Sequence, residues 1–292
     1  KKTKMKLGDL GNSGDILNIS IEKPIAGIFI SGNVPYNAIT DDLTARVYIT
    51  SALDKLELSA HYKGKNGEST TLFNALKGSI LAEFSQFQEG AVLSTDDGAT
   101  FMTVKFYLPL TNGGSMAFDN DQTLEVSIKN DNSTGAFELH GIELPILSPD
   151  FLKFTKHSVQ DGQTEKVFPL QNQEKIIIPT SAMSTDVVLE IRYTNGMVVR
   201  YGINELRSIA NLSNDIVYNH KGIIVSGAGD HFILDVSTAE SLQVLRTNTT
   251  AFDLVFQTSI VMDNLKEVKR VNEKLTDTTV NRKEVEALKQ LG

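Results

Sequence analysis

Five histidines, His61, His140, His157, His220 and His231, and two acidic loops, "STDDG" with Asp96 and Asp97 and "FDNDQT" with Asp119, Asn120 and Asp121, are the residues of this chain best suited to chemistry. Histidine offers a metal ligand or a general base, and closely spaced Asp and Asn on a loop supply part of the oxygen shell of a hard cation such as Ca²⁺. The histidines are dispersed on or beside strand patterns without close ligand spacing, which reads as structural or surface histidine. Asp119, Asn120 and Asp121 are the better cation candidates, but they lack the Gly and distal Glu of an EF-hand loop and read as solvated turn carboxylates. With Trp 0 and Cys 0, an aromatic sugar platform of tryptophan, a thiolate metal site, a cysteine nucleophile and disulfides are all excluded.

No nucleotide-binding, nucleophile-elbow or zinc-protease motif is present. The "GDLGNSG" stretch carries Gly8, Gly11 and Gly14 but precedes a strand pattern and does not link a strand to a helix. The expectation is a chain that is not an enzyme and needs no cofactor. A formal net charge of −8 opposes wrapping on nucleic acid, so no sequence-specific nucleic-acid partner is expected. No apolar run reaches the roughly 18 residues of a membrane span, and the first residues lack the apolar centre of a secretory signal.

The elements that must hold these residues are mostly strands. Alternation over "LTARVYIT" puts Leu43, Ala45, Val47 and Ile49 on one face, and the same period-2 pattern marks 16–22, 26–32, "KLELSAHY", 101–110, 123–129 and 136–144. Turn residues in "GKNGES", "TDDGAT" and "TNGGS" separate them, and "TTLFNALKGSILAEF" predicts a helix. The second half shows strand patterns at 175–180, 187–194, 197–202, 222–227, 231–237 and 251–261, interrupted by a helix over "INELRSIAN". Leu76 and Leu206 lie 130 apart and Phe106 and Leu234 128 apart, a nearly common register, while Val47 and Ile191 lie 144 apart. This repeated order predicts an all-β chain of two tandem eight-stranded jelly rolls, with short inserted helices and a helical C-terminal tail. The expected divisions are a flexible basic arm over 1–15 with Lys1, Lys2, Lys4 and Lys6, a first jelly roll over 16–149 ending near Pro149, a second over 150–262, and an amphipathic tail over 263–292. Leu265, Val268 and Leu275, then Val285, Leu288 and Leu291, form two apolar stripes in that tail, and they are its expected assembly residues.

On these residues, with "DVVLEIRYTNGMVVRYGINELRSIAN", "HFILDVS" and "LVFQTSIV" carrying most of the likeness, the chain resembles the double jelly-roll major capsid proteins of tailless, membrane-containing bacteriophages, of the corticovirus type and the adenovirus hexon lineage. The resemblance implies a self-assembling coat: homotrimers acting as pseudo-hexagonal capsomers in an icosahedral virion shell, assembled in the host cytoplasm. It further implies neighbouring capsomers, penton or minor capsid proteins as partners, and indirect contact with an internal membrane. The alternative is a β-sandwich phage spike, tail or adhesin binding protein.

Overall fold

The structure, a computed structural model, describes residues 3–35, 42–83, 92–96, 101–148, 150–213, 216–220, 223–226, 230–247 and 250–261. In the first half, β1 (Thr3–Leu10), β9 (Ala136–Glu143), β3 (Gly27–Pro35) and β7 (Phe101–Pro109) lie side by side in that order. A second sheet has the order β2 (Asp15–Ile21), β8 (Thr123–Asn130), β4 (Leu56–Lys63), β5 (Ser69–Lys77). The second half repeats both: β10 (Asp150–Val159), β19 (Phe252–Val261), β12 (Lys175–Pro179), β17 (His231–Asp235), and β11 (Glu165–Pro169), β18 (Ala239–Arg246), β13 (Val187–Tyr193), β14 (Val198–Tyr201). Each half is an eight-stranded jelly roll, strand for strand in the same order.

Both rolls carry a helix after the fifth strand, α2 (Gly78–Ala82) in the first and α3 (Ile203–Ser213) in the second. Both then add strands outside the eight: β6 (Val92–Asp96), and the hairpin β15 (Ile216–His220) with β16 (Ile223–Ser226). These insertions meet. Strand β6 pairs antiparallel with β7 and parallel with β15, so the first roll's sheet runs β1-β9-β3-β7-β6-β15-β16 and its last two strands belong to the second roll.

Pairing registers make the correspondence residue by residue. Pro35 faces Phe101 as Pro179 faces His231, and Asn33 faces Ala136 as Ile177 faces Val255. Leu58 faces Leu76 as Leu189 faces Tyr201, and each helix begins two residues later, which aligns Leu81 with Leu206, both buried. Three sequence expectations change as a result. The segment expected as a strand over 43–50 belongs to a helix, α1 (Asp42–Asp54), because Ile49, Ala52 and Leu53 follow the i, i+3, i+4 rule and all three are buried. The counterpart of Ile191 is therefore Ala60, and the spacing of 144 from Val47 dissolves. Leu234 corresponds to Val104, two residues from Phe106 on the same strand.

The helix expected over "TTLFNALKGSILAEF" is strand β5 up to Lys77, with only Gly78–Ala82 helical. Its buried Leu72, Phe73 and Leu76 mimic helical spacing because of a bulge: three residues from Phe73 to Leu76 span two of β4, Ala60 to Leu58, with Ala75 at φ 50°. The third change concerns the basic arm, which from Thr3 to Leu10 is an edge strand zipped to β9. The tail over 263–292 and Pro149 lie outside the described residues.

Two apolar cores result. One gathers first-roll residues such as Leu58, Phe73, Phe106 and Leu139 together with Phe151, Phe154, Ile177 and Val255 from the second; the other is built from Leu189, Ile191, Leu206, Phe232 and Phe256. Leu189→Ala removes a side chain with no exposure from that second core. It is expected to cost about 2–5 kcal/mol, read as a lower urea midpoint at unchanged slope.

Candidate functional site

Because the sheet β10-β19-β12-β17 alternates, its even and odd residues serve different neighbours. Ile176 and Ile178 enter the second core, while Ile177 between them enters the first; Leu254 and Phe256 flank Val255 in the same way. The first roll therefore sits on the outward face of the second roll's sheet. Phe73 of β5 meets Phe154 of β10 edge-on at 6.2 Å between ring centroids. Beside this contact a cleft of about 870 Å³ opens, lined from one side by Asp54, Lys77, Ser79 and Ile80 and from the other by Pro179, Thr180 and Arg246.

At the edge of that cleft the rolls are joined by a hydrogen-bonded Glu–His pair. The Glu83 carboxylate, at the C-terminal end of α2, takes two hydrogen bonds on Oε1: one with His231 Nδ1 at 3.0 Å and one donated by the Asp230 backbone N–H at 2.9 Å. Its side chain is 3% exposed and that of His231 10%. Asp230 is in turn held from the first roll, where Thr50 Oγ1 donates to its Oδ2 at 2.5 Å, and from the second, where Thr180 N and Oγ1 donate to its carbonyl at 2.8 and 3.0 Å. Ser79 donates to Asp54 on the same side. Burial pushes the Glu83 carboxyl up from its ordinary value, against the lowering effect of His231. For His231 burial pulls downward, but the hydrogen bond and charge of Glu83, with the charges of Asp230 and Asp54, outweigh it and raise the ring's value.

Arg246, 5% exposed, borders the cleft and donates to the carbonyls of Gln163 at 2.5 Å, Thr250 and Gln160, with its guanidinium over Phe252 at 5.4 Å. It ties the start of β19 to the loop after β10 and so fixes the face on which the first roll rests.

The residues singled out by sequence lie elsewhere. Asp119 contacts Lys65 at 2.7 Å and closes a turn with Gln122, whose Oε1 accepts from the Asp119 N–H at 3.0 Å; Asn120 and Asp121 beside it are exposed. Among the described residues no group of three or more His, Asp or Glu is placed to hold a metal ion. Lys4 lies over the Phe29 ring at 5.3 Å and Lys6 pairs with Asp9 at 2.8 Å, both on β1, so they are strand residues of the first roll. Lys1, Lys2 and the tail residues Leu265, Val268, Leu275, Val285, Leu288 and Leu291 lie outside the described residues. His61 bonds Thr71, His140 sits beside Glu138 at 3.0 Å, and His157 packs between Phe168 and Phe256. Sequence reasoning passed over Glu83, whose signal was an acid in the apolar run "SILAEF".

These features define a double jelly roll whose halves are fastened to each other across a two-sided sheet. No family model matches the sequence, and no curated protein matches it. Among solved structures, the fold is similar to that of the major capsid protein P2 from bacteriophage PM2, with a TM-score of 0.50 over 90% of this chain and 98% of that one. At 10% identity the likeness is one of fold. The PBSX exported protein XepA (TM-score 0.21, 7% identity, 88% of this chain and 86% of that) and oxalate decarboxylase from Bacillus subtilis (0.24, 7%, 96% and 86%) overlap too loosely to bear on function.

With both partners of the pair raised, each contributes stability that is present below its unfolded value, 4.5 for Glu83 and 6.5 for His231, and is lost as pH rises through the folded value. In Glu83→Gln the carboxylate that most raises His231 is gone, and burial is opposed only by the charges of Asp230 and Asp54, so the ring's value falls from that in the wild type. The unfolding free energy of wild type minus that of Glu83→Gln is therefore expected to shrink from about pH 5 to about pH 8 in parallel urea titrations. Glu83→Ala, which strands the ring, should cost about 3 kcal/mol near the low end of that range.

Proposed function

We propose that this chain is a viral major capsid protein whose work is self-assembly, three copies forming a pseudo-hexagonal capsomer of six jelly rolls in an icosahedral bacteriophage shell. The observation that carries the reading is the strict strand-for-strand duplication, with the two rolls fixed against each other by a sheet buried on both faces. A chain whose halves share one topology presents nearly the same lobe twice, and three such chains can occupy six equivalent places. The fold likeness to a phage major capsid protein, spanning 98% of that chain, supports the same reading.

On this reading the chain catalyses nothing, and its partners are copies of itself, penton or minor capsid proteins, and indirectly an internal membrane. It belongs to the virion and is assembled in the host cytoplasm. The two stripes Leu265, Val268, Leu275 and Val285, Leu288, Leu291 serve as an arm reaching a neighbouring subunit.

Light scattering of the purified protein is expected to give about three times the chain mass of 32.0 kDa, and negative-stain images should show six-lobed particles. A monomer at micromolar concentration sinks the coat reading, and elongated projections favour a spike. Deletion of 263–292 is expected to leave folded trimers that no longer form shells.

A further inference from the structure

The contact between the two rolls of one chain is a template for a contact between chains. Within the chain, β5 and α2 of the first roll lie on the outward face of β10, β12 and β19. Ser79 and Ile80 share the cleft with Pro179 and Thr180, and Glu83 reaches His231. The second roll has the same donor side, β14 and α3, and the first roll has the same acceptor face on β1, β3 and β9. Among the described residues neither has an intramolecular occupant of this kind.

The donor side carries exposed apolar surface. Four of the eight large hydrophobic side chains exposed among the described residues fall on it: Met197 and Val198 at 50% and 44%, Ile209 and Leu212 at 37% and 84%. The registers align Glu205 with Ile80 and Ser208 with Glu83, so the α3 face that corresponds to the docked face of α2 carries Glu205, Ser208, Ile209 and Leu212. Its opposite face, with Ile203, Leu206 and Ala210, already packs on the second core.

The acceptor face matches in the same register. Asn33 and Ala136 stand where Ile177 and Val255 stand in the second roll; Ile177 and Val255 are buried by the first roll, whereas Asn33 and Ala136 are exposed. The backbone surface is repeated, and only its side chains are more polar, as suits a face that meets water until a partner arrives.

Resting on the coat reading, we infer that the outer side of β14 and α3 of one copy docks on the outward face of β1, β3 and β9 in the first roll of the next copy, repeating between chains the junction made within each chain. A head-to-tail contact of this kind uses two different patches and closes into a ring when the rotation permits, as three copies of a two-lobed chain require.

Two experiments on the full chain test this. Ile209→Asp combined with Leu212→Asp places two charges on an exposed helix face, and is expected to move the light-scattering mass from the trimer to the single chain at an unchanged urea midpoint. Val167→Asp, an equally exposed apolar position on β11, should stay trimeric. Because the native chain has no cysteine, Ser208→Cys with Asn33→Cys treated with a short bis-maleimide should yield covalent species up to three chains. A wild-type trimer whose Asp variant stays trimeric and whose cysteine pair yields only single chains overturns this docking and leaves the coat reading standing. A monomeric wild type overturns both.

Discussion

The run "KIIIP" on β12 is buried along its apolar length, Ile176 and Ile178 in one core and Ile177 in the other. A strand apolar on both faces must be covered twice, and in an antiparallel sheet that normally has one wet face the second cover has to come from elsewhere. Here it comes from the first roll. Each of these side chains contributes about 1.5–3 kcal/mol by leaving water, so the two halves adhere by the same force that folds each of them. The rest of the molecule conforms to this. Val255 on β19 and Phe154 on β10 join the same outward face, and the bulge in β5 brings both Phe73 and Leu76 inward in the strand that covers it.

Around this apolar contact the polar groups are satisfied in a directional way. The Glu83 carboxylate, buried at the seam, is met by a ring nitrogen and a backbone N–H from the second roll, while Asp230 next to that ring is held from both rolls. Apolar burial tolerates small slides, whereas such a pair loses most of its energy if donor and acceptor part. The pair thus fixes the angle at which the rolls meet, and the pairing of β6 with β15 fixes it again through main-chain hydrogen bonds.

Much of this architecture can be read in the sequence because alternation and turn residues report local burial. The strands at 27–35, 56–63, 123–130, 136–143, 187–193 and 252–261 and the helix after Tyr201 follow those signals directly. Errors arose where local and tertiary patterns coincide. Leu43 to Ile49 alternates as a strand does, and only Ala52 and Leu53 beyond that window show the helical stripe. The β5 bulge produces helical spacing in a strand, and the basic start is a strand because β9 offers an edge. The seam was the least legible part. Nothing in "ILAEF" or "GDHF" alone tells that Glu83 and His231, 148 residues apart, share a hydrogen bond. Such a contact is set by the docking of whole rolls.

The parallel pairing of β6 with β15 also bears on how the chain is made. Residues 92–94 find their outer partners in residues 218–220, so the β6 side of the first roll's sheet stays bare until most of the second roll has left the ribosome. An unpaired edge on a nascent chain is a template for pairing with other nascent chains. The N-terminal half is thus a sheet that waits, and the strand that covers its β6 side comes from a hairpin translated more than a hundred residues later.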